Sequence, residues 1–405
     1  MRTPARTGVA VAVLAVVAGG VYAAPRLLDN VGQAGEQRLG GGSSATPGGA
    51  TAPADARPFT LVATGDIIPY PSIIQRAADD AGGKGHDFRK ILAGVKPIVS
   101  AADVAICHHE IPYGPAGGPY TGYPTFKAPH QLADALKDAG YDGCSTASNH
   151  TLDAGYDGLV HTLEHLDRVG IEHVGSARSA EEAKAPALLT AGGAKIAQLS
   201  YTYGTNGIPL PKDKPWSVNL TDRDRIIADA RAARKAGANV VVLSVHWGTE
   251  WQTAPDQQQL ELAQALTASQ TDGLPDIDLI IGTHNHVPQP YEKINGTWVV
   301  FGMGDQVASF VPADKKRGNM SSVPRFTFGP SAARPGRWEV VKAEYFTQYS
   351  DMGPPFRVVC ASCAASDGSL PAGKKSEYAA VDKQVGEAVL TRKAGEQGLV
   401  KATAP

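Results

Sequence analysis

Two histidines, His284 and His286, stand one residue apart directly after the apolar run 279–281 and a Gly-Thr pair. Such a short apolar run with a glycine behind it predicts a buried strand that ends abruptly. In an extended loop, side chains two positions apart leave the backbone on the same side, so both imidazoles can face one point. This spacing suits two nitrogen ligands for one metal ion, or one ligand for each of a close pair. A solvated histidine pair on a surface loop is the alternative.

Other side chains of metal-ligand type also follow short apolar runs. They are the carboxylates, amide and imidazoles of Asp66, Glu110, Asn149, His150 and His246. In open α/β folds, ligands collect at the carboxyl ends of the strands. We therefore expect these residues to lie around one site together with the histidine pair. Mixed nitrogen and oxygen ligation of this kind suits Mn²⁺, Fe or Zn²⁺ rather than Ca²⁺, at one or two ions.

The elements that must position these residues alternate between strands and helices. Continuously apolar runs predict the strands 59–66, 103–107, 143–147, 195–200, 239–245, 279–283 and 298–302. Apolar residues at helical spacing predict the helices 87–100, 129–140, 151–170, 222–235 and 256–267. Alternation of this type predicts an α/β fold whose largely parallel sheets are buried on both faces. The basic stretch 317–337 is predicted as loops, and 377–390 as one further helix.

Composition narrows the class of protein. The chain has 405 residues, 42% hydrophobic and 19% charged, which is typical of a globular protein with one large domain or two smaller ones. The formal net charge of −2 at pH 7 predicts no electrostatic attraction to nucleic acid.

The first residues have the pattern of an export signal. Arg2 and Arg6 precede an uncharged, largely apolar run over 7–25. Because this run nearly reaches the roughly 20 residues that span a bilayer, both a cleaved signal peptide and a retained membrane anchor stay open for 1–29. Residues 30–58 are rich in Gly, Ser, Ala, Pro and Thr and predict a flexible linker. We expect an exported protein, extracytoplasmic and either secreted or membrane-anchored.

The four cysteines can form disulfides in an exported chain. Cys360 and Cys363 form a C-x-x-C pair, for which we expect a local disulfide. Cys107 and Cys144 lie in predicted strand ends and are interpreted as small buried residues rather than nucleophiles.

The ordered motifs resemble those of the CapA proteins of poly-γ-glutamate capsule synthesis, within the calcineurin-like metallophosphoesterase superfamily. They are Gly65-Asp66, the carboxylate Glu110, Ser148-Asn149-His150, His246-Trp247-Gly248 and His284-Asn285-His286. The resemblance runs from about residue 59 to about residue 309. It implies a four-layer α/β/β/α sandwich of the metallo-dependent phosphatase type, with a domain over 59–350 and a C-terminal extension over 351–405.

The resemblance also implies a role for each residue. Asp66 and His286 would bind the first metal, Glu110 would bridge, and Asn149, His246 and His284 would bind the second. His150 would face the substrate and either protonate a leaving group or stabilise developing negative charge.

Three positions depart from the general metallophosphoesterase pattern. Ile68 stands where a histidine ligand is usual, and Glu110 replaces the bridging aspartate; CapA proteins share both departures. His108 belongs to a Cys-His-His-Glu run that replaces the usual Gly-Asn-Leu-Glu. It either compensates for the missing nitrogen ligand or lines the cleft as a polar residue.

The remaining candidates are a lysine, an aspartate and two histidines on a predicted helix. Lys127 matches a basic position of the family and would hold a carboxylate or phosphate of the substrate; a solvated loop lysine is the alternative. For Asp305, where the family often has asparagine, we expect a structural hydrogen bond. His161 and His165 lie away from the strand ends and are interpreted as ordinary helix residues.

The resemblance leaves two functions open. The first is an exported, metal-dependent hydrolase that acts on an anionic polymer or small molecule, either a γ-glutamyl amide or a phosphoester. The second is a non-catalytic assembly or binding partner of capsule-synthesis membrane proteins.

Overall fold

Two β-sheets packed face to face form the centre of the protein, and helices cover their outer faces. The computed structural model describes residues 56–364, 367–402 and 404–405. The predicted signal or anchor segment, 1–29, and residues 30–55 of the predicted linker lie outside the described residues.

Seventeen strands and nine helices form the described part of the chain. The strands are β1 (Phe59–Ile67), β2 (Val104–His109), β3 (Gly143–Ser145), β4 (Glu172–Val174), β5 (Ala187–Ala191), β6 (Ala194–Thr202), β7 (Val240–His246), β8 (Gln270–Thr271), β9 (Leu274–Pro275), β10 (Leu279–Thr283), β11 (Tyr291–Ile294), β12 (Thr297–Val300), β13 (Asp305–Val307), β14 (Met320–Pro330), β15 (Trp338–Asp351), β16 (Arg357–Cys360) and β17 (Leu399–Lys401). The helices are α1 (Pro71–Asp80), α2 (Arg89–Leu92), α3 (Lys96–Ser100), α4 (Gln131–Ala139), α5 (Gly155–Val169), α6 (Arg223–Lys235), α7 (Gln257–Ala268), α8 (Ala361–Ala364) and α9 (Ala372–Leu390), with short 3₁₀ turns at Glu182–Lys184 and Ala313–Asn319.

The first sheet has the strand order β16-β15-β14-β1-β2-β3-β4, with β13 paired to β1 and β17 paired to β15. Strands β1 to β4 run parallel, whereas the successive neighbours β14, β15 and β16 are antiparallel to one another and β14 is antiparallel to β1. The short β17 is parallel to β15. The second sheet has the order β11-β12-β10-β7-β6-β5, with a parallel centre and antiparallel edges. The carboxyl ends of the parallel strands of each sheet therefore share one edge.

Alternate residues of the central strands face different layers. In β7, Val240 and Val242 pack between the two sheets, while Val241 and Leu243 pack against α6 and α7. A third cluster joins the first sheet to α1, α2, α4 and α5. Strands buried on both faces read as continuous apolar runs. These packed layers confirm the expected α/β/β/α sandwich.

The predicted helix 87–100 is wrong, because the segment forms two short helices, α2 and α3. Gly94 lies between them and forms a bridge with Val359, so the backbones of the two segments are in contact. A Cβ at Gly94 would lie 2.5 Å from the carbonyl oxygen of Val358. Pro97 then starts α3, where its missing N–H costs nothing.

The prediction of loops over 317–337 is wrong for 320–330, which forms β14, and is confirmed for 331–337, which forms the turn of a hairpin. Most of this stretch belongs to the long hairpin β14–β15, and β14 pairs antiparallel with β1 over Phe59–Val62. Pro324, Gly329 and Pro330 hide the strand pattern in the sequence, because these residue types are normally depleted in strands.

The C-terminal residues pack on the same sheet. β16 extends the edge of the first sheet, and α9 buries Tyr378, Val381 and Val385 in the core shared with β15. Residues 351–405 thus contribute to the hydrophobic core of 59–350. Among the described residues, no helix combines the length and the apolar character needed to cross a bilayer.

Both cysteine pairs form disulfides. Cys360 pairs with Cys363 across the start of α8, as expected. Cys107 and Cys144, interpreted from sequence as small buried residues rather than nucleophiles, are directly opposite each other in β2 and β3 and pair with a Cα–Cα distance of 4.5 Å. Parallel neighbouring strands placed these two positions side by side, which their separation in sequence does not reveal.

Gly65 allows β1 and the chain before β13 to approach closely. A Cβ at Gly65 would lie 1.7 Å from the carbonyl oxygen of Gly304. We expect Gly65→Ala to lower the free energy of unfolding by about 1–3 kcal/mol or more, since backbone must move to make room. Chemical denaturation measures this loss.

The matched control is Gly373→Ala on α9, where an added Cβ meets nothing within 4 Å. There, alanine should be neutral or stabilise by up to about 1 kcal/mol. Equal stability of the Gly65→Ala protein and the wild type would contradict the close approach.

Candidate metal centre

The carboxyl ends of five strands bring the predicted ligands together. Asp66 is opposite His108 in β2 and opposite Asp305 in β13, while His246 ends β7 beside Thr283. Glu110, Asn149 and His284 follow β2, β3 and β10 in the loops. The residues expected at one site, with the exception of Lys127, are all buried in this region.

One group of four side chains forms what we call the carboxylate cluster: Asp66, Glu110, His286 and Asp305. One ligand atom from each lies within 4.8 Å of those of the others. Within it, His286 Nδ1 lies 2.9 Å from Asp305 Oδ1. Three carboxylates and one imidazole thus share a pocket from which water is excluded.

A second group, the imidazole group, consists of Asp66, His108 and His246. His108 Nε2 and His246 Nδ1 lie 3.6 Å and 3.8 Å from Asp66 Oδ1. His108 Nδ1 bonds to the hydroxyl of Ser145 at 2.8 Å, which fixes the ring so that Nε2 faces the carboxylate. Asp66 is common to both groups, whereas the resemblance assigned the bridging position to Glu110.

The two sheets are joined at the site by hydrogen bonds. The backbone N–H of His284, from the second sheet, donates to Asp66 Oδ2 at 3.0 Å. His246 Nε2 lies 2.9 Å from Asn149 Oδ1, which follows β3 of the first sheet. These bonds hold Asp66 and Asn149 in fixed positions between the layers.

The loop of the histidine pair differs from the extended segment assumed in the sequence argument. His284 and His286 have φ values of +91° and +58°, in the left-handed region that non-glycine residues rarely adopt. Their rings consequently diverge, with centroids 6.2 Å apart. His286 reaches the carboxylate cluster, while the ring of His284 lies 4.7 Å from that of His246. Residues in such conformations cluster at functional sites.

Several buried ligand-type atoms of the site have no hydrogen-bond partner among the residues that the structure describes. They are Asp66 Oδ1, His108 Nε2, Glu110 Oε1, Glu110 Oε2, His284 Nδ1 and Asp305 Oδ2. A buried polar atom without a partner costs about 1–3 kcal/mol, and more when it is charged. So many at one place fit a bound cation, and the mixed oxygen and nitrogen donors suit a transition metal.

The electrostatics of the carboxylates agree with this fit. Burial, together with the neighbouring carboxylates, raises the pKa of Asp66 and of Glu110 well above the usual range. Burial also raises the pKa of Asp305, although the His286 imidazole opposes the shift. Without a cation, the site therefore holds protons that a metal ion would displace.

The imidazoles divide into two kinds. Burial lowers the pKa of His286, but Asp305, Glu110 and Asp66 outweigh it and raise the pKa well above its ordinary value. Burial and the neighbouring imidazoles lower the pKa of His108 and of His284 to about 3, and that of His246 well below its usual value. His286 is therefore the cation of the metal-free site, and the other rings are neutral and have lone pairs for a ligand.

His150 lies beside the two groups, and a hydrogen bond to Asp153 orients its ring. Its Nδ1 lies 2.6 Å from Asp153 Oδ2, which also accepts from the backbone N–H of Phe126 at 2.7 Å. The ring of Phe126 packs edge-on against the imidazole at 4.9 Å. With Nδ1–H donated to Asp153, Nε2 is the nitrogen left for a substrate.

Lys127 is half-buried, and its backbone exchanges two hydrogen bonds with Thr121 at 3.1 Å. The contacts described for the carboxylate cluster and the imidazole group do not include this lysine, so its role toward a substrate stays a prediction.

Asp305 has a larger role than the structural hydrogen bond expected from the sequence. Besides the expected structural hydrogen bond to His286, it contributes an unpartnered, buried oxygen to the carboxylate cluster. Asp305 follows the apolar strand β12 and a Gly-Met-Gly turn, so it has the same sequence signal as the other candidate ligands at strand ends. Of the two interpretations of His108, the geometry favours a ligand over a residue that merely lines a cleft.

The raised pKa of Glu110 predicts how the metal-free protein responds to pH. A carboxyl group whose folded pKa is raised stabilises the fold below its unfolded pKa, and this contribution is lost as pH rises through the folded pKa. Glu110→Gln removes the penalty. We expect the free energy of unfolding of the metal-free variant to exceed that of the wild type by at least about 1 kcal/mol at pH 7. Near pH 4 the two proteins should be equally stable.

Chemical denaturation in chelator at the two pH values measures this difference. Glu339→Gln, an exposed position of β15, is the control and should change stability at neither pH. A Glu110→Gln variant less stable than the wild type at pH 7 would contradict the buried, uncompensated carboxylate.

Comparison with known proteins places the chain in a family. The bacterial capsule synthesis protein family PGA_cap matches residues 60–309. The PGA biosynthesis protein CapA of Bacillus subtilis is 28% identical over 239 residues, 55% of this chain and 57% of that protein. A probable polyglutamine synthesis accessory protein of Mycobacterium tuberculosis is 30% identical over 177 residues, 41% of this chain and 45% of that protein.

The chain thus spans about half the length of the curated relatives it matches. Among solved structures, a calcineurin-like phosphoesterase from Bacillus subtilis aligns over 81% of this chain and 97% of its own, at 15% identity and a TM-score of 0.42. Since the family match covers more than half of the sequence and includes every strand end described above, the protein belongs to the bacterial capsule synthesis protein family PGA_cap.

Proposed function

We propose that the protein is a divalent-metal-dependent hydrolase of capsule or poly-γ-glutamate metabolism, acting on an anionic substrate with a γ-glutamyl amide or phosphoester bond. The observation that carries the proposal is the convergence of Asp66, Glu110 and Asp305 with unpartnered imidazoles in a buried pocket. Maintaining three carboxylates there is costly without a bound cation.

The metal ligands would be Asp66, Glu110, Asn149, His246, His284 and His286, joined by Asp305 and His108. A bound Mn²⁺, Fe or Zn²⁺ ion supplies Lewis-acid polarisation of the scissile group and acidifies water. The same demand for charge stabilisation arises in phosphoester and amide hydrolysis, so the ligands alone do not decide between the two substrates.

His150 is suited to act as the general acid. Its Nδ1–H bond to Asp153 stabilises the imidazolium and fixes the ring, and Nε2–H can donate to the departing oxygen or nitrogen. Water then contributes its hydroxyl to the phosphorus or carbonyl carbon, the bond to the leaving group breaks, and the leaving group takes the proton of His150. The proton released by the water returns His150 to its starting state. Asp153 is a positioning residue in this scheme.

Positive charge beside the site supports an anionic substrate. The ammonium group of Lys315 lies over the ring of Trp251 at 4.4 Å from its centroid, and this ring lies 5.4 Å from that of His286. A groove of about 490 Å³ runs behind the loop that follows His286, with Val287, Pro288 and Arg317 among its lining residues. Lys127 would add a further cation.

Location outside the cytoplasm belongs to the same proposal. It is supported by the two disulfides, Cys107–Cys144 and Cys360–Cys363, since disulfides persist in oxidising compartments. Capsule-synthesis membrane proteins are the partners that this location would allow.

Metal content tests the first step. We expect protein purified without chelator to contain stoichiometric Mn, Fe or Zn by elemental analysis. Asp66→Asn should lose most of this metal, because Asp66 belongs to both ligand groups. Asp272→Asn, at an exposed turn with φ +53° that asparagine tolerates, is the control and should retain it. Equal metal in both variants would sink the assignment of Asp66.

Hydrolysis tests the second step. With metal bound, we expect cleavage of either aryl phosphodiesters or poly-γ-glutamate, and His150→Asn should lower kcat by roughly 10²–10⁴ while metal content is unchanged. His173→Asn, away from the site, is the control. No turnover of either substrate class by metal-loaded wild type would favour the non-catalytic assembly role.

A further inference from the structure

Three half-buried histidines meet at a second place in the fold. One ring nitrogen from each of His130, His161 and His165 lies within 4.8 Å of those of the others. His130 is the N-cap residue of α4, and the other two are one turn apart on α5. Side chains at i and i+4 share a helix face, so α5 presents two imidazoles toward the start of α4.

Aromatic contacts fix the orientation of these rings. His130 stacks on His165 with centroids 4.2 Å apart and an angle of 14° between planes. His161 meets His165 edge-on at 4.5 Å, and Tyr113 packs against His165 at 6.0 Å. The cluster is therefore held by packing and would lose little side-chain entropy on binding a ligand.

At least one ring nitrogen of the three histidines has no hydrogen-bond partner among the described residues. The Nε2 atoms of His161 and His165 are 2.9 Å apart, so one N–H serves two nitrogens. The Nδ1 atom of His130 is buried and has no hydrogen-bond partner among the described residues. One ring nitrogen from each of the three residues is therefore close enough to the others to share one ion.

The charges around the cluster are compensated. Both oxygens of Asp134 accept from the Arg168 guanidinium, at 2.9 and 3.0 Å. The Arg168 Nε–H lies at 3.4 Å from His165 Nδ1, a long contact that a rotation of the side chain can release. Burial and the two other imidazoles lower the pKa of His165 to about 4, so this ring is neutral at pH 7.

We propose that His130, His161 and His165 form a separate site for a divalent transition metal of the Zn²⁺, Ni²⁺ or Cu²⁺ class. Imidazole is a preferred ligand of these ions. The half-exposed position leaves room for water to complete the coordination. A metal bound there would link the start of α4 to α5. The site stands independently of the proposed hydrolase activity, because it shares no residue with the carboxylate cluster.

Zinc titration of the chelator-treated full chain tests the site. By isothermal titration calorimetry with ZnCl₂ alone, we expect His161→Gln to weaken one class of site at least about tenfold relative to wild type. His130→Gln, on the other side of the cluster, should weaken the same class. His173→Gln, a histidine that pairs with Asp167 instead, is the control and should bind as the wild type does.

Asp66→Asn separates the two centres, since it should retain the zinc equivalent that His161→Gln loses. Copper supplies a second readout: electron paramagnetic resonance of Cu²⁺ bound to Asp66→Asn should show couplings from several nitrogens, reduced when His161→Gln is added. The proposal is overturned if His161→Gln and His130→Gln bind zinc with unchanged number and affinity, or if Asp66→Asn abolishes all zinc binding.

Discussion

Three buried carboxylates, those of Asp66, Glu110 and Asp305, set the constraint on which the rest of the site depends. Isolated charges in an apolar interior are expensive, and pairing is the usual remedy. In the metal-free protein, the remedy is partial: His286 bonds one carboxylate, and raised pKa values leave protons on the others. A divalent cation would complete it by binding the unpartnered oxygens, which lie close together.

The sandwich meets this constraint by making the site from rigid parts. Asp66 is hydrogen-bonded from the opposite sheet by the N–H of His284, so the ligand is held at both its backbone and its carboxylate. At Gly282, a Cβ would lie 2.0 Å from the carbonyl oxygen of Phe301, which shows how tightly the strand ends are packed together. The left-handed conformations of the histidine loop are tolerated because the surroundings fix them. Sites supported by strands in this way hold their geometry better than sites on free loops.

The strand ends could be predicted from the sequence because parallel buried strands appear as continuous apolar runs followed by polar residues. Asp66, Glu110, Asn149 and His246 were found by that signal alone. The hairpin β14–β15 escaped it, since its prolines and glycine are uncommon in strands and its pairing with β1 spans more than 250 positions. The Cys107–Cys144 pair escaped for a related reason: which strands are neighbours is a tertiary fact. His108 and Asp305 also follow apolar runs, but their place beside Asp66 comes from the strand register, which no local pattern gives.

The two clusters differ in what it costs the protein to maintain them without metal. The carboxylate cluster is fully buried, and without metal it must keep protons on its carboxyl groups or leave their charge uncompensated. A cation should therefore be held tightly and released slowly. The three histidines are half-exposed, so leaving them empty costs little and their metal should exchange readily. A protein whose only task was to fill space in an assembly would gain stability by replacing Glu110 and Asp305 with neutral residues of the same shape. The presence of both carboxylates, at a cost in stability to the metal-free protein, is the pattern expected of a site that binds a cation.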